Sequence, residues 1–176
     1  MSEQFGDFYS GSLEYQDLLQ REFEGNNFVE LDITDSSKSE ISITQINSGL
    51  GPNKSKVIQR RVYSSSASID QYGSNNIALI EQKNGQYNNA SIRQNGTGYK
   101  GIIIQDGSFN EAQLTQCDLS ECAKENHGGE VSILQQNDHN VAIIIDNTSS
   151  SYGVQQNGGD SIFINNNMNR GIYVKQ

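Results

Sequence analysis

No run of 18 apolar residues occurs in this 176-residue chain, so no transmembrane helix is expected. Cationic residues are few: 12 Lys and Arg stand against 21 Asp and Glu, for a net charge of −9. That balance argues against nucleic acid and against an anionic membrane as partners. Tryptophan is absent, proline occurs once, at Pro52, and the apolar share is 34%, low for a globular core. Asn, Gln, Ser and Gly fill the gap, a bias common to disordered and to β-aggregating segments. The stretch after Met1 lacks a charged-then-apolar leader, which fits a cytosolic chain or a mature form. No phosphate-binding loop, zinc signature or Ser-His-Asp order stands out, and the acidic residues are scattered. Neither an enzyme nor a cofactor is expected.

Composition alone would favour disorder; the spacing of one residue type overturns that. Gln recurs at Gln71, Gln82, Gln94, Gln105 and Gln116, in steps of 11, 12, 11 and 11. Taking each as position 7 of a short strand gives SEISITQ (39–45), NKSKVIQ (53–59), SSASIDQ (65–71), NIALIEQ (76–82), NNASIRQ (88–94), YKGIIIQ (99–105) and NEAQLTQ (110–116). After a gap follow GEVSILQ (129–135), NVAIIID (140–146), SSYGVQQ (150–156), DSIFINN (160–166) and RGIYVKQ (170–176), with NFVELDI (27–33) as a weaker first copy. Odd positions of a strand share one face. Position 5 is almost always Ile, Val or Leu, position 3 mostly Ile, Ala or Val, and position 1 mostly Ser or Asn, while even positions are mostly polar. The connectors, such as YGSN, NGTG and NGG, supply residues that tolerate positive φ.

Strand, turn, strand, turn in about 22 residues describes one rung of a two-sheet β-solenoid. The expected fold is therefore all-β and cross-β, with thirteen strands in about six rungs and a height of about 30 Å. Strand n then lies on strand n−2. One inward column reads Ile33, Gln59, Gln82, Gln105, Gln135, Gln156, Gln176. The other reads Gln45, Gln71, Gln94, Gln116, Asp146, Asn166. A Gln amide both donates and accepts, so stacked copies can bond one another and fix register. Outside, Asp70 and Arg93 fall at position 6 on adjacent rungs, as a cross-strand pair would.

The pattern S-x5-Q-x-G-x2-N-x-A-x3-Q stands in Ser65, Gln71, Gly73, Asn76, Ala78 and Gln82, and half of it again in Gln105, Gly107, Asn110, Ala112 and Gln116. On these residues the chain resembles the curlin family, the subunits of bacterial curli fibres, over about residues 39–176. The resemblance implies a secreted functional amyloid of the biofilm matrix and cell surface, exported through an outer-membrane curli secretion pore. Its partners would be other curlin subunits, in a homo- or hetero-polymer. Curlins divide into a major fibre subunit and a minor, nucleating one. The irregular, basic last repeat with Arg170 and Lys175 resembles the minor subunit; drift in a major subunit is the alternative, and a capped monomeric β-solenoid adhesin is a second.

Residues 1–26 break the pattern and read as an export or capping segment ahead of a 27–176 solenoid; SLEYQDLLQREF has loosely helical spacing. An insertion at 117–128 interrupts the Gln spacing. Its Cys117 and Cys122 suit a loop disulfide, with free thiols, or a metal site shared with His127, as alternatives. His139 reads as a turn residue. The outward face turns apolar late, at Ile102, Ile104, Leu134, Ile143, Ile145, Phe163 and Tyr173. Such rows imply either lateral packing against another surface or mere β-propensity.

Overall fold

The computed structural model describes residues 13–21, 27–117, 128–168 and 171–176. One helix, α1 (Leu13–Gln20), precedes thirteen strands. These are β1 (Asn27–Thr34), β2 (Glu40–Asn47), β3 (Asn53–Tyr63), β4 (Ser66–Ser74), β5 (Ile77–Gln86), β6 (Asn89–Thr97), β7 (Lys100–Asp106) and β8 (Glu111–Gln116). They continue as β9 (Glu130–Gln136), β10 (Val141–Asp146), β11 (Tyr152–Asn157), β12 (Ser161–Asn166) and β13 (Tyr173–Lys175). Odd strands stack as one sheet, β1-β3-β5-β7-β9-β11-β13, and even strands as the other, β2-β4-β6-β8-β10-β12. Each ladder between neighbours is parallel, so the chain winds as a β-solenoid of about six turns.

Register follows the repeat. On β4 and β6, Ala67 faces Ala90, Ile69 faces Ile92 and Gln71 faces Gln94. The count survives the insertion at 117–128, for Gln105 on β7 faces Gln135 on β9. Between the sheets lies one core of position-5 side chains, among them Val57, Ile69, Ile80, Ile92, Ile103, Leu114, Ile133 and Ile144. Small residues at position 3 let the sheets approach. A Cβ on Gly101 would lie 3.1 Å from both Ile92 and Leu114 of the opposite sheet.

Some connectors stack as regularly as the strands, with Gly73 facing Gly96 and Ser74 facing Thr97. Gly73 has φ +112°, and a Cβ there would fall 1.9 Å from the Gly96 carbonyl oxygen. Gly73→Ala is expected to cost about 1–3 kcal/mol through strained backbone alone, read as a lowered urea midpoint. An unchanged midpoint would refute the stacked-turn geometry.

Three expectations are corrected or refined. The outward apolar residues Ile102, Ile104 and Leu134 form neither a free face nor an incidental one: with Ile58, Leu79 and Tyr15 of α1 they make a second, buried cluster outside the odd sheet. Tyr15 and Leu18, three apart on one face of α1, are fully buried, which is why this eight-residue helix holds where an isolated one would be marginal. Lys54 Nζ donates to the Leu18 and Leu19 carbonyls in the last turn of α1 and to that of Arg21 just beyond it, where the helix dipole favours a cation. Lys56 pairs with Glu14 and Glu30, and Arg60 with Glu14 and Asp32. The described helix thus lies against the outer face of the odd sheet. Ile143 and Ile145 on the even sheet are half-buried and Phe163 is exposed. Asp70 and Arg93 are register partners, yet no ion pair joins them among the described residues.

Candidate functional site

Candidate site residues here are those that can propagate a stack: the inward amides and the two ends. In the odd sheet Gln59 Nε2 donates to Gln82 Oε1 at 2.9 Å, Gln82 to Gln105 at 2.9 Å, Gln105 to Gln135 at 2.9 Å and Gln135 to Gln156 at 3.0 Å. In the even sheet Gln45 donates to Gln71 at 2.7 Å, Gln71 to Gln94 at 2.8 Å and Gln94 to Gln116 at 2.8 Å. All run the same way, from lower to higher rung. The Nε2 groups of Gln71, Gln82, Gln94, Gln105 and Gln135 also donate to a carbonyl of the preceding strand, as Gln82 does to Ser66 and Gln94 to Ile77. The amides from Gln59 to Gln156 in the odd column and from Gln71 to Gln116 in the even one are buried. A buried amide without partners would cost about 1–3 kcal/mol, so the bonds are what permit a polar row inside.

Both columns stop short of the C-terminal end. Gln116 donates to the Lys100 and Gly129 carbonyls rather than to Asp146. Asp146 is fully buried; its Oδ1 accepts from Thr148 Oγ1 at 2.7 Å and from Asn166 Nδ2 at 3.1 Å. Its Oδ2 has no partner, and neither do the buried hydroxyls of Tyr99 and Tyr152. Burial pushes the Asp146 carboxyl up to about 6, against the pull of its bonds to Thr148 and Asn166. In the odd column Gln156 donates to the Val141 and Asp160 carbonyls. Gln176 is exposed; its backbone N–H reaches the Gln155 carbonyl, and its side chain makes no ladder bond among the described residues.

A second polar ladder went unread in the sequence. At position 1, Asn53 Oδ1 accepts the Asn76 N–H, and Asn76 Oδ1 accepts that of Tyr99. In the other sheet Asn88 Oδ1 accepts the Asn110 N–H and Asn110 Oδ1 that of Asn140. The signal was present, since Asn keeps the same period as Gln. One corner also carries a ring stack, Tyr87 on Phe109 at 5.3 Å and Phe109 on His139 at 5.0 Å. These three residues have positive φ, and their turn role was legible only for His139.

Cys117 is disulfide-bonded. Cys122 and His127 lie outside the described residues.

The two ends complete the site. At the N-terminal end Val29, Leu31 and Ile33 of β1 point inward by their period but are 46%, 51% and 53% exposed, because among the described residues no rung lies beyond them. At the C-terminal end Ile162, Ile164, Ile172 and Val174 are only partly buried. Among the described residues both ends offer unpaired strand edges over an apolar floor, the form of surface that recruits another strand.

A family model of the curlin associated repeat matches residues 64–96, which run from the turn before β4 to the end of β6. No curated protein and no solved structure matches the chain. The matched repeat holds Gln71, Gln82 and Gln94, three members of the two ladders that wind on through later rungs. Residues 64–96 are thus similar to the curlin associated repeat, and the solenoid carries the spacing of that repeat on through the rungs at either side.

Proposed function

We propose that this chain is the minor, nucleating subunit of a curli-type functional amyloid of the biofilm matrix, reaching the cell surface through an outer-membrane secretion pore. Assembly proceeds by β-augmentation: a free edge of one subunit pairs head to tail with the next, and the inward amides set the register. The observation that supports this most is the N-terminal end. It offers two strands of eight residues, with Val29, Leu31 and Ile33 half-exposed and ready to be covered.

The opposite end favours nucleation over bulk growth. There the even amide column has given way to Asp146 and Asn166, and the last strand is three residues long. A regular template at one end and a poor one at the other suit a subunit that starts a fibre. The unbroken Gln columns of the middle rungs favour a major subunit instead.

A seeding assay separates the two. The purified chain, followed by amyloid-dye fluorescence and electron microscopy, is expected to polymerise slowly alone. At a small molar fraction it should shorten the lag of a regular curlin. Fast self-growth into long fibres would assign it to the major class. Absence of fibres in both arms would leave a capped monomeric adhesin.

A further inference from the structure

A two-sheet fibre advances equally in both sheets for each subunit added. Among the described residues the odd sheet has seven strands and the even sheet six. At about 4.8 Å per strand, seven strands span about 34 Å and six about 29 Å. Identical copies with this count cannot stack without leaving one strand position per joint doubly claimed or empty.

We infer that β13 is a placeholder: it occupies the edge of β11 in the single molecule and is displaced there by β1 of the next copy. This rests on the self-assembly proposed above and names the contact through which it proceeds. Once β13 leaves, twelve strands remain, six in each sheet, and copies tile.

The choice of β13 follows from the strands themselves. β13 pairs with β11 through three residues, Tyr173, Val174 and Lys175. β1 pairs with β3 through eight, and its Glu30 and Asp32 are bound to Lys56 and Arg60. If β1 yielded instead, β13 would lie on β3 of the next copy. In the register that β1 now holds, Tyr173 would take the place of Glu30 facing Lys56, and Lys175 the place of Asp32 facing Ile58, one step from Arg60 on the same face. That sets a cation where the Arg60 partner Asp32 stood and leaves Glu14 as the one carboxylate, of the three described, still pairing Lys56 and Arg60.

The vacated edge fits β1. In register, Val29 of the next copy falls on Tyr152 and Leu31 on Val154, apolar on apolar. Ile33 falls on Gln156, whose amide already donates to the Val141 and Asp160 carbonyls and needs no amide beyond it. In the even sheet β12 meets β2 of the next copy, with Ile162 on Ile41, Ile164 on Ile43 and Asn166 on Gln45. A bound β13 would also slow self-growth, in keeping with a nucleating role.

The experiment compares the full chain with one ending at Met168, following growth from preformed seeds and the axial repeat of the fibres. The shortened chain is expected to elongate several-fold faster. Fibres of both chains should repeat about every 29 Å, six strand spacings. Circular dichroism of the shortened chain before seeding establishes that it folds. Should it fail to fold, the paired substitution Ile172→Asp with Val174→Asp, which undocks β13 and keeps its length, replaces it. Slower or absent elongation of a folded, shortened chain would overturn the inference. So would a full-chain repeat near 34 Å, because β13 would then be retained in the fibre. Fibres from neither chain would overturn self-assembly itself, and the displaced strand with it.

Discussion

Asp146→Asn is expected to stabilise the monomer at pH 7.5 and to remove most of the change in stability between pH 4.5 and pH 7.5. Asp146 occupies an inward position that the repeat gives to Gln, fully buried between the rungs of Gln116 and Asn166. Only one of its oxygens is bonded, and burial holds its carboxyl at about 6 in the folded chain against an ordinary value of 3.8. The folded state therefore retains a proton that the unfolded state has released. Stability is greatest below the unfolded value, falls as pH rises from about 4 through about 6, and is level above that. A shift of about two units corresponds to about 3 kcal/mol. Glu14 and Asp32 act in the opposite sense and in a lower range. Lys56 beside Glu14 and Arg60 beside Asp32 hold these carboxyls below their ordinary values, so their contribution is lost only as pH falls further. Two tyrosines that feel the charge of Asp146, Tyr99 and Tyr152, are pushed upward by burial and by Asp146, and stay neutral throughout.

Urea midpoints at dilute, fibre-free concentration, taken at both pH values for both chains, decide it. The native chain should lose stability on going from pH 4.5 to pH 7.5, while the Asn variant should stay nearly level. A native chain with no pH dependence, or an Asn variant weaker at pH 7.5, would refute the buried carboxylate. The same measurement bears on assembly. A subunit whose C-terminal rungs loosen as Asp146 ionises carries its weakest rungs at the end assigned above to the displaced strand.

The middle of the solenoid was legible because its rungs are nearly the same length. Once Gln59, Gln82 and Gln105 mark one face, the period of two puts Val57, Ile80 and Ile103 beside them, and the coordinates place these side chains in one core. The turns were legible for the same reason, as Gly73 and Gly96 recur at one offset. What escaped the sequence depends on contacts without a period. The outward row at Ile102, Ile104 and Leu134 could be seen, but not what covers it. Its cover, Tyr15, lies more than eighty residues earlier, in a helix fixed by Lys54, Lys56 and Arg60. The breaks at Asp146 and Gln176 were visible as departures in residue type. That Gln116 turns its amide away to two carbonyls is a matter of local geometry, which spacing does not encode.

Gln105→Ala is expected to be the most damaging single change in the ladder, costing about 3–5 kcal/mol in the monomer and slowing fibre growth at least tenfold. Gln105 sits in the middle of the unbroken odd column and is fully buried. Its Oε1 accepts from Gln82 at 2.9 Å, and its Nε2 donates to Gln135 at 2.9 Å and to the Asn89 carbonyl at 3.0 Å. Alanine removes all three bonds. It strands one N–H of Gln82 and the carbonyl oxygen of Gln135 in the buried interior, each at about 1–3 kcal/mol before relaxation, and frees the Asn89 carbonyl at a partly exposed strand end. The remaining N–H of Gln82 keeps its bond to the Ser66 carbonyl, so the penalty is partial there. Ser74→Ala is the control, because Ser74 lies in a stacked turn and its hydroxyl has one long contact, 3.4 Å, to Thr97. If fibre growth and urea midpoints of the two variants agree, the amide ladder does not set register and apolar stacking alone holds the rungs. If Gln105→Ala slows growth while Ser74→Ala does not, polar register inside the solenoid is what makes each added rung fit the last.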